Sequence, residues 1–214
     1  MADDENSMKT GTTTIAIKCK DGIVLAADKR ATAGTMIASK YMDKIFLVED
    51  YMAITIAGTV SDVQLLLKLI KAELRLKRMR TNRKATVSES ANLLAGMVYS
   101  NIRKFSAIPG ISHFIFAGKD EEGFHIFDIY PDGSISEADD YLASGSGSVF
   151  SFGVLETLYK PAMSIDEGKQ LAFKSMNAAL QRDSASGNGM DIVLITHEGV
   201  KKVLTKRIDT GVRE

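Results

Sequence analysis

The sequence predicts an α+β domain in which two antiparallel sheets pack face to face and a pair of helices covers the outer side of each. Three observations lead there. Residues 12–57 carry short runs of alternating apolar residues separated by turn signals, the period of half-buried strands. The period changes to that of helices from about residue 60 to 104, and again from about 148 to 182. Strand-like runs return at 112–142 and at 190–205. Strands, two helices, strands, two helices, strands is a block order, which indicates α+β layers rather than alternating βαβ units.

Composition bounds the rest. A chain of 214 residues with 45% apolar content suits one domain with a sizeable core. Equal numbers of basic and acidic residues, 27 of each, argue against nucleic acid or an anionic membrane as the main partner. The single cysteine, Cys19, allows no internal disulfide and points to a reducing, cytoplasmic setting. No apolar run approaches the roughly 18 residues of a membrane span. The leader Met1 to Thr10 is polar and acidic, without the basic and apolar regions of a secretory signal, and reads as a short solvated tail.

The first strand is expected over Thr12–Lys20, turned by Asp21-Gly22 into a return strand over Ile23–Arg30. A loop from Ala31 to Gly34 leads to a strand over 35–39, followed by strands over Lys44–Val48 and Met52–Ala57, with Gly58 ending the last. Val63, Leu66, Leu67, Ile70 and Leu74 recur at helical spacing, with Ser61 or Asp62 as the cap. Thr86 and Glu89 form a capping-box signature for a second helix running to about Lys104. The basic residues from Arg75 to Lys84 lack interleaved aromatics and fit a solvated helix face or a subunit contact. Strands follow over 112–117 and 124–129, then short ones near Ile135 and Leu142 after the Pro131-Asp132-Gly133 turn. Gly145-Ser146-Gly147-Ser148 opens a third helix, and Ser164 with Glu167 caps a fourth that reaches about Arg182. Strands at 190–196 and 200–205 close the chain.

Several residues could carry chemistry. Cutting the Gly11–Thr12 bond would leave a threonine with a hydroxyl and a free α-amine on one residue, a nucleophile with its own base. The amine's ordinary pKa of roughly 7.7–8.0 leaves a useful unprotonated fraction near neutrality. The plain alternative is that three threonines in a row simply start a strand. Asp28 and Lys44 sit at strand ends, where a lysine near Thr12 could favour the alkoxide and an aspartate could hold that lysine; from local sequence the plainer reading is a pair of exposed charges at strand termini. Gly58 could present an N–H to an oxyanion or merely turn the chain. The Gly145–Ser148 run lacks the spacing of a phosphate loop. Asp183 and Ser186, in Gln181-Arg182-Asp183-Ser184-Ala185-Ser186-Gly187, could hydrogen-bond a terminal ammonium, or the run could be an ordinary helix end with Gly187 as its cap. His113, His125 and His197 have no metal-type spacing, and Cys19 reads as a small packing residue.

Taken together and in order, Gly11, Thr12-Thr13-Thr14, Ala27-Asp28-Lys29-Arg30, Lys44, Ile56-Ala57-Gly58, Gly145-Ser146-Gly147-Ser148 and Gln181 to Gly187 resemble the proteasome β subunits of the archaeal kind. The resemblance covers essentially the whole chain and implies the four-layer αββα sandwich of N-terminal-nucleophile hydrolases. It implies a propeptide over 1–11 removed by autocleavage and a single peptidase domain over 12–214. Thr12 would be the nucleophile and its amine the base, with Lys44 paired to Asp28, Gly58 N–H as oxyanion donor, and Ser146, Asp183 and Ser186 placing the amine and a water. Ala31, Met42, Ile56 and Val60 would line the pocket for the residue before the cut, whose apolar walls predict cleavage after hydrophobic residues. No cofactor or metal is implied. The implied partners are seven-membered β rings stacked with α-subunit rings, an ATPase cap and unfolded polypeptide substrates. A non-catalytic scaffold β subunit and an HslV-type peptidase are the competing readings.

Overall fold

The computed structural model describes residues 11–107 and 109–209; the leader over 1–10 lies outside the described residues. The strands are β1 (Thr14–Cys19), β2 (Gly22–Asp28), β3 (Ala31–Ala33), β4 (Met36–Ser39), β5 (Ile45–Glu49) and β6 (Met52–Gly58). After the helices α1 (Val60–Thr81) and α2 (Val87–Ile102) come β7 (Ser112–Lys119), β8 (Phe124–Ile129), β9 (Ile135–Ala138) and β10 (Tyr141–Ser144). The helices α3 (Ser148–Leu158) and α4 (Ile165–Arg182) precede β11 (Gly189–Thr196) and β12 (Gly199–Arg207).

Two five-stranded antiparallel sheets result, with orders β10-β1-β2-β11-β12 and β5-β6-β7-β8-β9. The helices α1 and α2 lie on the second sheet, while α3 and α4 lie on the first. The fold is therefore the α+β four-layer sandwich that the block order implies. Three apolar clusters cement the layers. Val63, Leu66, Ile70 and Leu94 meet Ile54, Phe114 and Phe116 under the first helix pair. Leu155, Leu171 and Met176 meet Ile15, Ile17 and Val24 under the second. Ile23, Leu25, Ile115 and Val193 fill the space between the sheets. Alternation explains the division: along β1, Ile15 and Ile17 turn to the helices while Ala16 turns to the opposite sheet.

The capping boxes form as expected, with both reciprocal bonds present at Thr86/Glu89 and at Ser164/Glu167. The first helix is capped differently from the expectation of Ser61 or Asp62. Its N-cap is Thr59, whose N–H donates to the Ile111 carbonyl at 2.8 Å, and Asp62 lies in the first turn and accepts from Asn101. The expected loop from Ala31 is instead β3, which pairs with β4 in a separate hairpin turning at Gly34. Two strand ends are shorter than the apolar pattern suggests. Thr13 donates its N–H to the Asp28 side chain, so β1 begins only at Thr14. Asp28 Oδ2 accepts from the Arg30 N–H at 2.9 Å, bending the chain out of β2. Gly187 is not the cap of α4, since the chain leaves that helix at Asp183 with extended backbone.

Cys19 is the last residue of β1, and burial first, then Asp21 and Glu167, pushes its thiol up to about 12, which makes it an inert packing group. Among the described residues no helix is long and apolar enough to cross a membrane.

Candidate active site

Strand register brings together residues far apart in the chain. Thr14 pairs with Ala27 on one side and Ser144 on the other, so Thr12 and Thr13 emerge between Asp28 and the Gly145–Gly147 turn. In the other sheet Ile45 pairs with Thr55, which places Lys44 level with Ile56 and beside Gly58. The sheets are tied at this edge by Thr55 Oγ1, which donates to Thr14 Oγ1 at 3.1 Å.

The Lys44 ammonium donates to Asp28 Oδ1 at 2.6 Å, with both side chains out of solvent. Asp28 is held in place by main-chain donors: Thr13 N–H at 2.9 Å on the same oxygen, and Arg30 N–H at 2.9 Å and Gly187 N–H at 3.0 Å on the other. Burial pushes Lys44 below the ordinary lysine range, and Asp28 works against that shift. The ammonium also lies 3.5 Å from the carbonyl oxygen of Gly11, the same oxygen that accepts the Thr12 hydroxyl at 2.7 Å. Thr12, the Gly11 carbonyl and a desolvated cation thus share one small space.

On the opposite flank a hydroxyl chain runs to a carboxylate. Thr12 N–H donates to Ser146 Oγ at 3.3 Å, and Ser146 Oγ donates to Asp183 Oδ2 at 2.7 Å. Ser186 Oγ donates to the same oxygen at 2.6 Å and lies 2.6 Å from Thr13 Oγ1. The loop after α4 is anchored by Arg30, whose guanidinium donates to the Ser184 carbonyl at 2.7 Å and to Asn188 Oδ1 at 2.8 Å. Gly187 packs directly against that guanidinium, so a Cβ there would displace the Arg30 side chain.

Gly58 ends β6 with φ of +119°, a conformation that side chains resist, and a Cβ would collide with the Ile111 carbonyl. It borders a cavity lined by Thr12, Lys44, Ala31, Met42, Ile56 and Val60, together with Thr32 and Ala57. The ten other positions that the sequence marks as catalytic or pocket-lining therefore lie around Thr12. Sequence reasoning passed over Thr13, Arg30 and Thr32, the last accepting the Gly11 N–H at 2.8 Å. Thr13 and Arg30 lie inside the Thr12-Thr13-Thr14 and Ala27-Asp28-Lys29-Arg30 runs, but nothing local distinguishes their side chains from strand decoration.

None of the three histidine rings bonds to a residue assigned to this site, although His113 is the strand partner of Ala57. His113 joins Asp128 at 2.5 Å and Ser144 at 2.8 Å, His125 joins Glu137 at 2.7 Å, and His197 packs edge-on against Phe124.

A four-layer sandwich with a threonine, a buried lysine–aspartate pair and an apolar cavity at one sheet edge defines a class, and comparison with known proteins places the chain within it. The family model described as proteasome subunit matches residues 8–195. The chain is 42% identical over 194 residues to the proteasome subunit beta of Archaeoglobus fulgidus, covering 91% of this chain and 89% of that protein. It is 44% identical over 192 residues to that of Methanococcus aeolicus, covering 89% and 87%. The corresponding protein of Methanocaldococcus fervens is 41% identical over 192 residues, covering 89% and 84%. The chain belongs to the proteasome subunit family, as a β subunit of the archaeal type in the 20S core particle.

Proposed function

We propose that this β subunit is a catalytic one: a threonine endopeptidase that frees its own nucleophile by cutting after Gly11. The observation that carries the reading is the shared Gly11 carbonyl oxygen, which accepts the Thr12 hydroxyl at 2.7 Å and lies 3.5 Å from the Lys44 ammonium. While Gly11 is attached, the Thr12 nitrogen is an amide and cannot act as a base. In the processing step, Thr12 Oγ1 attacks the Gly11 carbonyl carbon and the C–N bond breaks. The proton of the hydroxyl passes to the departing nitrogen, and water hydrolyses the resulting ester to release residues 1–11. Glycine at position 11 keeps that carbonyl free of side-chain crowding.

Once freed, the Thr12 amine takes the hydroxyl proton while Oγ1 attacks the carbonyl carbon of the substrate. The charged Lys44, oriented by Asp28, lowers the cost of ionising the hydroxyl, and the Gly58 N–H meets the developing oxyanion. Collapse gives an ester on Thr12 and a peptide amine that carries away the proton. Water then cleaves the ester. Ser146, Asp183 and Ser186 hold the amine where the Thr12 N–H already points to Ser146. Ala31, Met42, Ile56 and Val60 supply apolar walls for the residue before the cut, which favours hydrophobic side chains there.

The assembly we infer is a seven-membered β ring stacked with α-subunit rings and fed unfolded chains by an ATPase cap, in the cytoplasm; one buried cysteine suits such a reducing compartment. The test is the N-terminal sequence of the chain after co-assembly with its α partner. A start at Thr12, absent in Thr12→Ala, is the expected result; an intact leader in fully assembled particles overturns the reading in favour of a scaffold subunit.

A further inference from the structure

Behind the Lys44–Asp28 pair lies a second ion cluster that the proposed chemistry does not use. Lys29 is 2% exposed, yet its ammonium donates to Asp191 Oδ2 at 2.6 Å and to Asp43 Oδ1 at 2.9 Å. Lys202, on β12, joins from outside at 3.0 Å from Asp191 and 3.5 Å from Asp43. The two clusters are reciprocal along the chain. Positions 28 and 29 are acid then base, and so are positions 43 and 44. Asp28 takes Lys44, and Lys29 takes Asp43. Neighbouring side chains of extended backbone point to opposite sides, so one pair meets Thr13 and the other meets Asp191 of β11.

The main chain of Lys29 joins the same elements. Its N–H donates to the Gly187 carbonyl at 3.2 Å, and its carbonyl accepts the Met42 N–H at 2.8 Å. The segment it grips needs an anchor. Residues 33–41 are exposed, and the chain returns from that hairpin to the protein interior only at Met42 and Lys44. Burial alone would pull Lys29 down, but Asp191 and Asp43 outweigh it and hold the ammonium above the ordinary lysine value. Lys44 is shifted the opposite way, so Lys29 keeps its charge at pH values where Lys44 loses its own.

We propose that Lys29 is a positioning residue: by clamping Asp43 against Asp191 it fixes the 42–44 segment, and with it both the Lys44 ammonium beside Thr12 and the Met42 wall of the cavity. The proposal rests on the reading that Thr12 and Lys44 carry the chemistry. It gives one buried side chain a hand in both rate and side-chain preference, a supporting shell of the kind a catalytic constellation requires.

The experiment compares Lys29→Met, Lys29→Arg and Asp43→Asn in co-assembled particles, with turnover expressed per free Thr12 terminus counted by N-terminal sequencing. The expected result for Lys29→Met is a loss of kcat per terminus on the order of 10- to 100-fold, the scale of a small misplacement of a catalytic group. The preference between large and small apolar residues before the cut narrows as well, and Lys29→Arg restores most of both. A role confined to folding would lower the yield of particles while leaving kcat per terminus and the preference at wild-type values, and that result overturns the proposal. If Lys29→Met fails to assemble, Asp43→Asn decides by the same two readouts, since the Asp43 side chain is 59% exposed and its replacement leaves the core intact. Thr12→Ala separates the catalytic role of Thr12 from the positioning role of Lys29. Activity retained in Thr12→Ala sinks the catalytic reading itself, whereas a silent Thr12→Ala beside unaltered Lys29 and Asp43 variants sinks only the positioning role.

Discussion

Asp28 and Lys44 meet at 2.6 Å in a site closed to solvent, and three main-chain N–H groups hold the Asp28 carboxylate, that of Thr13 on the oxygen facing Lys44 and those of Arg30 and Gly187 on the other. A buried pair of this kind is not itself strong evidence for stability, because taking both charges out of water costs about as much as their attraction returns. Its geometry holds the ammonium 3.5 Å from the Gly11 carbonyl oxygen to which the Thr12 hydroxyl bonds.

Asp28→Asn should separate the two consequences of that pairing. Removing one partner leaves a buried ammonium without a counter-charge, which destabilises by about 3–5 kcal/mol or forces Lys44 to deprotonate. Thermal denaturation of the isolated subunit reads the first effect. Peptide hydrolysis by assembled particles reads the second, with an expected loss in kcat on the order of 100- to 1000-fold.

Lys44 predicts opposite responses of activity and stability to alkaline pH. Burial holds its folded pKa below the ordinary lysine value. Between those two values the unfolded chain binds the proton more tightly, so this group makes the fold more stable as pH rises through the window. Turnover falls across the same window as the charge beside Thr12 disappears. The profile of kcat against pH is then a bell, its acid limb set by the Thr12 amine and its alkaline limb below the usual lysine range. An alkaline limb at or above the ordinary lysine value would contradict this.

Gly58→Ala combines backbone strain with a steric collision. The residue sits at φ of +119° with the Ile111 carbonyl in the path of any Cβ. Strain of this type costs about 1–3 kcal/mol, and relief requires the end of β6 and the Ile111 segment to move apart. The expected outcome is a lower thermal midpoint together with a drop in kcat larger than any change in KM, measured on peptides with a leucine before the cut.

The cavity walls predict a steep order among substrates. Peptides with leucine, phenylalanine or tyrosine before the cut should surpass those with aspartate or glutamate by about 100-fold or more in kcat/KM, because a carboxylate entering the cavity would be desolvated beside a lysine that Asp28 already occupies. A preference for acidic residues would remove the assignment of Ala31, Met42, Ile56 and Val60 as the pocket.

Glu89 offers a test of the fold independent of the site. Its carboxyl is pulled down to about 2, chiefly by Arg83, whose guanidinium meets both oxygens at 2.5 and 2.9 Å, and further by the Thr86 N–H. A depressed carboxyl stabilises the fold above its ordinary pKa, and that contribution fades as pH falls from the ordinary glutamate value toward about 2. Because the side chain is a third exposed, solvent screening reduces the benefit to about 1 kcal/mol. Glu89→Gln should therefore lower the thermal midpoint at neutral pH, with the gap closing on acidification.

The order of the elements along the chain, the four helices and two capping boxes were legible in the chain alone, because each depends on residues within a few positions of one another. The period of the apolar residues sets which face is buried, and Thr86 with Glu89, or Ser164 with Glu167, satisfies the free N–H groups of its own helix. The candidate site was legible only through motif resemblance. Composition and periodicity alone left Asp28 and Lys44 as two charges at strand ends. Their 2.6 Å contact exists because β1 and β2 lie in one sheet, β5 and β6 in the other, and the sheets are packed so that these edges coincide. Thr13 on Ser186, Arg30 on the loop after α4, and Lys29 between Asp43 and Asp191 belong to the same category. A side chain's partner across 16 or 162 positions is a property of how layers stack, which no local spacing encodes; sequence determined the elements and the chemistry available, and tertiary structure alone decided which charges share a space from which water is excluded.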